Sequence, residues 1–360
     1  MKKRIKPIVL FHPYVSEKAR KAVNETLKTR WIGQGPKVDE FEQAFMEKFG
    51  VRNSLAVNSG TSALELAYEL LGLKAGDQVI TTPFTCTATN IPLLRRGVEL
   101  IWADIDPVTM NISRKSIMNK ITYKTRAIIN VNMGGIKSNI GRFDIPVVAD
   151  SAQALGIFNG DFVINSFQAI KHVTTGDGGM LTVRNQDLYR RAKLLRWFGI
   201  DREQKKKDGW QAYKHREMTF DIEVAGFKYQ PTDIMASMGI AHLSEYNKII
   251  KQREDIFNVY RNGLKDIPGI RMIDGPENVY WTAGVIVDSD RDYLAAKLKE
   301  YKIESNTIQV RNDIYKIFGG IRRNLDNMNF LEDKYLYIPL HNRMSVDDAQ
   351  YIVDVIKGGW

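Results

Sequence analysis

Residues 146–183 read PVVADSAQALGIFNGDFVINSFQAIKHVTTGDGGMLTV. The apolar run 146–149 has the length and composition of a buried strand, and Asp150 stands at its end. A second apolar run, 162–164, leads into Ser166 and then Lys171. The cluster Gly176-Asp177-Gly178-Gly179 follows, and 180–183 read as one more strand. Taken singly, each residue has an ordinary explanation: a lysine beside glycines is usually a solvated loop residue, and an aspartate ending a strand is usually a turn or cap residue. The ordered set is far less ordinary. A carboxylate and a lysine at the ends of neighbouring strands, with a hydroxyl and a glycine-rich turn close by, are the parts that hold pyridoxal phosphate (PLP). In such a site the lysine takes the aldehyde as a Schiff base and the aspartate faces the pyridine nitrogen.

Around this stretch the chain alternates apolar strand, turn and amphipathic helix from about residue 54 to 183, which predicts an α/β layer structure with a mostly parallel sheet. Strands are expected at 55–58, 78–82, from 98 to an end within 102–106, and at 126–131. With 360 residues the chain has room for one large α/β domain, 1–247, and a small C-terminal α/β domain, 248–360. The smaller unit is expected to open on a long helix from about Lys248 and to hold strands near 271–273 and 282–287 and helices near 291–301 and 346–356.

Composition narrows the function. Hydrophobic residues make 44% and charged residues 26% of the chain, ordinary values for a soluble globular protein. One cysteine excludes a disulfide framework and fits a reducing, cytoplasmic setting. The opening MKKRIKPIVLFHPYV is basic, but its apolar run is short and broken by Pro7, His12 and Pro13, so neither a signal peptide nor a membrane span is expected. The 52 basic and 42 acidic side chains leave a net charge of +10. That excess suits either a nucleic acid or small anionic molecules. The dense cluster 201–208, DREQKKKD, carries its own acids and reads as a solvated loop, and no zinc spacing or aromatic-basic RNA motif appears. No metal and no nucleic-acid partner are therefore expected.

Earlier in the chain, Ser59-Gly60-Thr61-Ser62 lies between a strand and a helix reaching about Leu71. Gly60 permits a tight turn, and Thr61 or Ser62 is placed to cap the helix. Unpaired N–H groups and the dipole at a helix start attract phosphate, so this turn and Ser166 are candidate donors to a cofactor phosphate.

The motifs ADSAQALG and SFQAIKHVTTGDGG resemble those of the DegT/StrS-type nucleotide-sugar aminotransferases, D-x-A-[HQ]-x-x-G followed by S-F-x-x-x-K-x-x-x-x-G-[ED]-G-G. The resemblance extends from about Trp31 to His341 and implies a PLP-dependent transferase of fold type I. It implies that Lys171 is the Schiff-base lysine and general acid/base, that Asp150 pairs with the pyridine nitrogen, and that Gln153 contacts the ring's 3-oxygen. Thr61, Ser62 and Ser166 become the phosphate anchors. The segment 226–233, GFKYQPTD, is similar to the family's G-Y-N-Y-R-[ML]-T-D, so Lys228 is expected to reach the PLP phosphate of a second subunit, and the enzyme to be a homodimer with shared sites. Where the family has P-x-F-T-[FYW]-x-[AS]-[ST], this chain has Cys86 at the aromatic position that stacks on the ring. Either the polarisable Cys86 packs on the ring or Phe84 covers it from the side; a buried structural cysteine is the plain alternative.

The implied reaction moves an amino group from L-glutamate to a nucleotide-linked keto sugar, a 4-keto-6-deoxyhexose in first place and a 3-keto sugar in second. Two rivals stand beside it: a PLP-dependent sugar dehydratase, in which relatives carry histidine for the lysine, and a basic protein without catalysis.

Overall fold

The computed structural model describes residues 4–207, 209, 213–214, 217–218 and 221–360. Apolar runs too short to be core helices become the strands of its main sheet: β1 (Ser54–Val57), β2 (Gln78–Thr81), β3 (Glu99–Trp102), β4 (Thr125–Val131), β5 (Val147–Asp150), β6 (Phe162–Ser166) and β7 (Gly179–Val183). Their order is β1-β7-β6-β5-β4-β2-β3. The neighbours from β3 to β6 pair in parallel, and β7 runs antiparallel to both β6 and β1. The expected mostly parallel sheet is thus observed, and β1, β4, β5 and β7 are buried almost throughout, as strands covered on both faces should be.

Helices α1 (Glu17–Leu27), α2 (Pro36–Phe49), α3 (Gly60–Leu70), α4 (Thr87–Arg95), α5 (Arg114–Met118), α6 (Gln186–Arg196), α7 (Arg202–Lys207) and α8 (Asp233–Ser244) accompany this sheet. A two-residue ribbon, β8 (Tyr213–Lys214) and β9 (Glu217–Met218), precedes α8. The start of α2 has only Gly35 as its cap residue, and the buried Asp233 carboxylate accepts the N–H groups of Gly35, Lys37 and Val38 in its place. One expectation fails here. The cluster 201–208 is not simply a loop: α7 forms within it, and Lys206 pairs with Asp39 at 2.9 Å while Arg202 donates to the Gln34 carbonyl at 2.9 Å. Interleaved acids and lysines are good helix formers once a neighbouring helix gives them partners. Asp208, the last residue of that cluster, lies outside the described residues.

The C-terminal part is built on α9 (Tyr246–Leu264), with β10 (Ile270–Ile273), β11 (Ala283–Val287), α10 (Arg291–Glu300), α11 (Asp326–Leu331), β12 (Tyr335–Ile338) and α12 (Val346–Lys357). Its three strands form an antiparallel sheet in the order β10-β11-β12. Ile256, Phe257 and Tyr260 of α9 pack with Ile352, Val353 and Ile356 of α12 and the inward residues of β11 and β12 in one core. Ile8 belongs to that core too: its N–H donates to the Lys302 carbonyl at 2.9 Å, and Glu304 N–H returns to its own carbonyl at 2.9 Å. The beginning of the chain is therefore strapped across its C-terminal part.

Candidate active site

Sheet register brings the key residues to one edge. Val57 at the end of β1 pairs with Gly179, and Gly179 pairs with Ser166 at the end of β6. Asp150 ends β5, which runs parallel to β6. The turn after β1 and the ends of β5 and β6 thus converge where the chains leave the sheet, the usual position for a ligand in an open α/β sheet.

The turn after β1 differs in one respect from its expected form. Ser59, not Thr61 or Ser62, caps α3: its hydroxyl accepts the Ser62 N–H at 3.0 Å. Gly60 starts the helix because a Cβ there would lie 3.0 Å from the Ser166 Cβ and 3.3 Å from its hydroxyl. Gly179 is more tightly constrained, since a Cβ would meet the Ser59 carbonyl oxygen at 2.5 Å. The helix start and the Ser166 hydroxyl are thereby pressed together. Thr61 is exposed at this point, and the Ser62 hydroxyl donates to Asn58 at 2.6 Å. Among the described residues no hydrogen bond from the N–H groups of Gly60 or Thr61 is seen. A glycine cradle, free N–H groups at a helix start and serine hydroxyls fit a phosphate group.

Asp150 is buried. The Thr89 hydroxyl donates to one of its oxygens at 2.7 Å and the Ala152 N–H to the other at 3.1 Å. Burial pushes its carboxyl up from the ordinary value, while these two donors and the nearby Lys171 pull it back. Lys171 lies in the loop between β6 and β7, which is closed at its base by Phe167 N–H to the Gly178 carbonyl at 2.9 Å. Its amine sits 4.1 Å from the centre of the Trp281 ring. Burial lowers its pKa to about 8, opposed by the nearby Asp150 and Cys86. Gln153, also buried, accepts the Gly134 N–H at 2.8 Å. Cys86 is exposed, which overturns a buried structural role, whereas Phe84 is wholly buried against Tyr335 in a separate core. Lys228 is exposed, and its backbone is joined to its own chain: its carbonyl accepts from Asn58 at 3.3 Å and it bridges to Trp197.

Sequence reasoning overlooked the Lys171 seat. Trp281 is buried, donates through its indole nitrogen to the Ile170 carbonyl at 3.2 Å and stacks on Phe11 at 5.6 Å. His172 Nε2–H donates to the Val279 carbonyl at 2.7 Å. Both neighbours of Lys171 are thus tied to 279–281. Behind that segment the buried Arg253 guanidinium donates to the carbonyls of Trp281 at 3.1 Å and Leu340 at 3.3 Å and to the Asn342 side chain at 2.6 Å. The only signal in the sequence was an aromatic pair, Tyr280-Trp281, before a strand. A cavity of about 420 Å³ between α1, α2 and α8 is lined by neither Lys171 nor Asp150.

Residues 13–357 match the DegT/DnrJ/EryC1/StrS aminotransferase family. The UDP-4-amino-4-deoxy-L-arabinose--oxoglutarate aminotransferase of Shewanella sediminis is 27% identical over 97% of both chains. The crystal structure of the sugar aminotransferase CalS13 from Micromonospora echinospora superposes with a TM-score of 0.89 at 28% identity, covering 98% of this chain and 100% of that one. The PLP form of Spr1654 from Streptococcus pneumoniae does so with a TM-score of 0.87 at 25% identity, covering 98% of each. The donor set around Asp150, Lys171 and Gly60 fits PLP, with a carboxylate for a ring nitrogen, an amine for an aldehyde and a cradle for a phosphate. The chain belongs to the DegT/DnrJ/EryC1/StrS aminotransferase family and is a PLP-dependent enzyme of the sugar-aminotransferase type.

Proposed function

We propose that this enzyme transfers the amino group of L-glutamate to the keto carbon of a nucleotide-linked deoxysugar, a 4-keto-6-deoxyhexose first and a 3-keto sugar second. The observation that carries the chemistry is an enclosed lysine amine whose pKa is brought down to about 8 beside a buried carboxylate. The 4-position and the glutamate donor are supported by the Shewanella relative, whose name specifies a 4-amino sugar and oxoglutarate.

When bound, PLP supplies an electron sink for the charge left as a C–H bond breaks. In this reading Lys171 holds the aldehyde end, Asp150 the ring nitrogen, Gln153 the 3-oxygen side and Cys86 one ring face. Gly60, Thr61, Ser62 and Ser166 hold the phosphate, joined by Lys228 of the partner subunit in a homodimer with shared sites. An amine with a pKa near 8 exists in both protonation states close to neutral pH, so Lys171 is able to take a proton from one carbon and return it to another. Asp150, whose charged form is favoured by its two donors against the cost of burial, would hold a proton on the ring nitrogen. We further assign 1–247 and 248–360 as the large and small domains and the cytoplasm as the compartment. No helix among the described residues is long and apolar enough to cross a membrane.

The dehydratase reading is disfavoured by His172. Its ring is buried and held on the Val279 carbonyl, so it does not take the place of Lys171. The deciding experiment incubates the protein with PLP, L-glutamate and a panel of nucleotide-linked 4-keto and 3-keto sugars. An amino sugar and 2-oxoglutarate should appear in equal amounts, and neither should appear with Lys171→Ala. Loss of water without net amination would favour the dehydratase, and a protein that stays colourless with added PLP would end both readings.

A further inference from the structure

We propose that Thr85 and Thr89 are positioning residues for Asp150, a one-way chain of hydroxyl donors that orients the carboxylate and keeps it charged. Both threonines are buried. Thr89 Oγ1 lies 2.7 Å from Asp150 Oδ2 and 2.8 Å from Thr85 Oγ1. A carboxylate only accepts, so the single Thr89 proton is committed to Asp150, and the hydroxyl–hydroxyl contact must then be made with the Thr85 proton. The direction of the chain is thereby fixed as Thr85 to Thr89 to Asp150. A donor that is itself receiving a hydrogen bond is a stronger donor, so Thr85 acts on the carboxylate through Thr89.

Both ends of the chain are braced. The Tyr68 phenol donates to the Thr89 carbonyl at 2.9 Å, which fixes Thr89 and removes the phenol from competition for Asp150. The Thr85 carbonyl accepts from the Asn312 side chain at 2.6 Å, and the Asn312 N–H donates to the Pro83 carbonyl at 2.7 Å. Asn312 is held in turn by Asn90 at 2.8 Å. The ionisable groups facing Asp150 are Lys171 and Tyr68. The hydroxyl of Thr89 is an important counterweight to burial, because it and the Ala152 N–H are the two direct donors to the carboxylate. This inference rests on the reading that Asp150 faces the ring nitrogen of PLP.

The test uses the full chain labelled with carboxyl-13C aspartate, the Asp150 resonance being assigned by its absence in Asp150→Asn. Titrated without PLP, Thr89→Val should raise the Asp150 midpoint by about one unit or more, a ~10-fold gain in proton affinity from loss of a donor to the charged form. Thr85→Val should raise it by less, and Thr89→Ser should restore the wild-type midpoint. An unchanged midpoint in Thr89→Val overturns the proposal. If that variant does not fold, an unchanged midpoint in Thr85→Val overturns it instead. With ring-15N PLP bound, the ring nitrogen should be less protonated in Thr89→Val than in wild type. If that nitrogen also ignores Asp150→Asn, the placement of Asp150 fails, while the cofactor-free titration still decides the chain.

Discussion

At Lys171 the balance of forces has a thermodynamic consequence. Burial holds its amine at about 8 in the folded protein, against 10.5 for an ordinary lysine. Between those values the unfolded chain binds a proton that the folded one does not, so this residue makes the cofactor-free protein more stable as pH rises from 8 to 10.5. Denaturant midpoints measured across that range should climb less steeply in Lys171→Met than in wild type. Cys86 allows a second test. An aromatic ring at this exposed position would add a stacking face, and Cys86→Phe should tighten PLP binding by about 0.5–1.5 kcal/mol in a direct titration. Asp150 and Lys171 were legible in the sequence because their chemistry is carried by an ordered local pattern. Trp281 was not, since its contact with Lys171 crosses a separation of 110 residues that no local pattern records. Thr89 stood inside a recognised motif, yet its bond to Asp150 depends on how α4 sits against β5.

The β1–α3 turn shows how far elements can be read from sequence. Strand, glycine and helix were each evident in residues 54–71, but the cap fell on Ser59 because Ser59-Gly60-Thr61-Ser62 offers three hydroxyls and only the fold selects among them. Ser59→Ala should cost about 0.5–2 kcal/mol of stability, read as a lower denaturant midpoint. Gly60→Val should leave the sheet in place while displacing Ser166, seen as lost PLP affinity with unchanged far-ultraviolet circular dichroism. The parallel strands were legible because both-face burial makes them continuously apolar. The segment 201–208 was misread because charge alone does not distinguish a solvated loop from a short helix whose partners lie on α2.

For the molecule as a whole, Arg253 is the clearest long-range tie. It carries a buried positive charge whose hydrogen bonds go to carbonyls and an asparagine, and its pKa is lowered to about 9 by burial. Arg253→Met should destabilise the protein by ~2–4 kcal/mol, because several buried acceptors lose their donor. Shared sites in a dimer are tested by mixing Lys171→Ala with Lys228→Glu: each alone should be inactive or nearly so, and subunit exchange should restore measurable activity. Two strands of the small sheet and helices α9, α10 and α12 were legible from their periodicity, whereas β12, α11 and the strap formed by the first described residues were not, since Ile8 lacks a periodic neighbourhood. That strap also orders events during synthesis. Ile8 and Phe11 are made well before their partners at Lys302, Glu304 and Trp281. A ribosome-bound chain that has not yet exposed those partners therefore has no finished seat for Lys171, and nascent chains stalled before residue 300 should be unable to retain PLP.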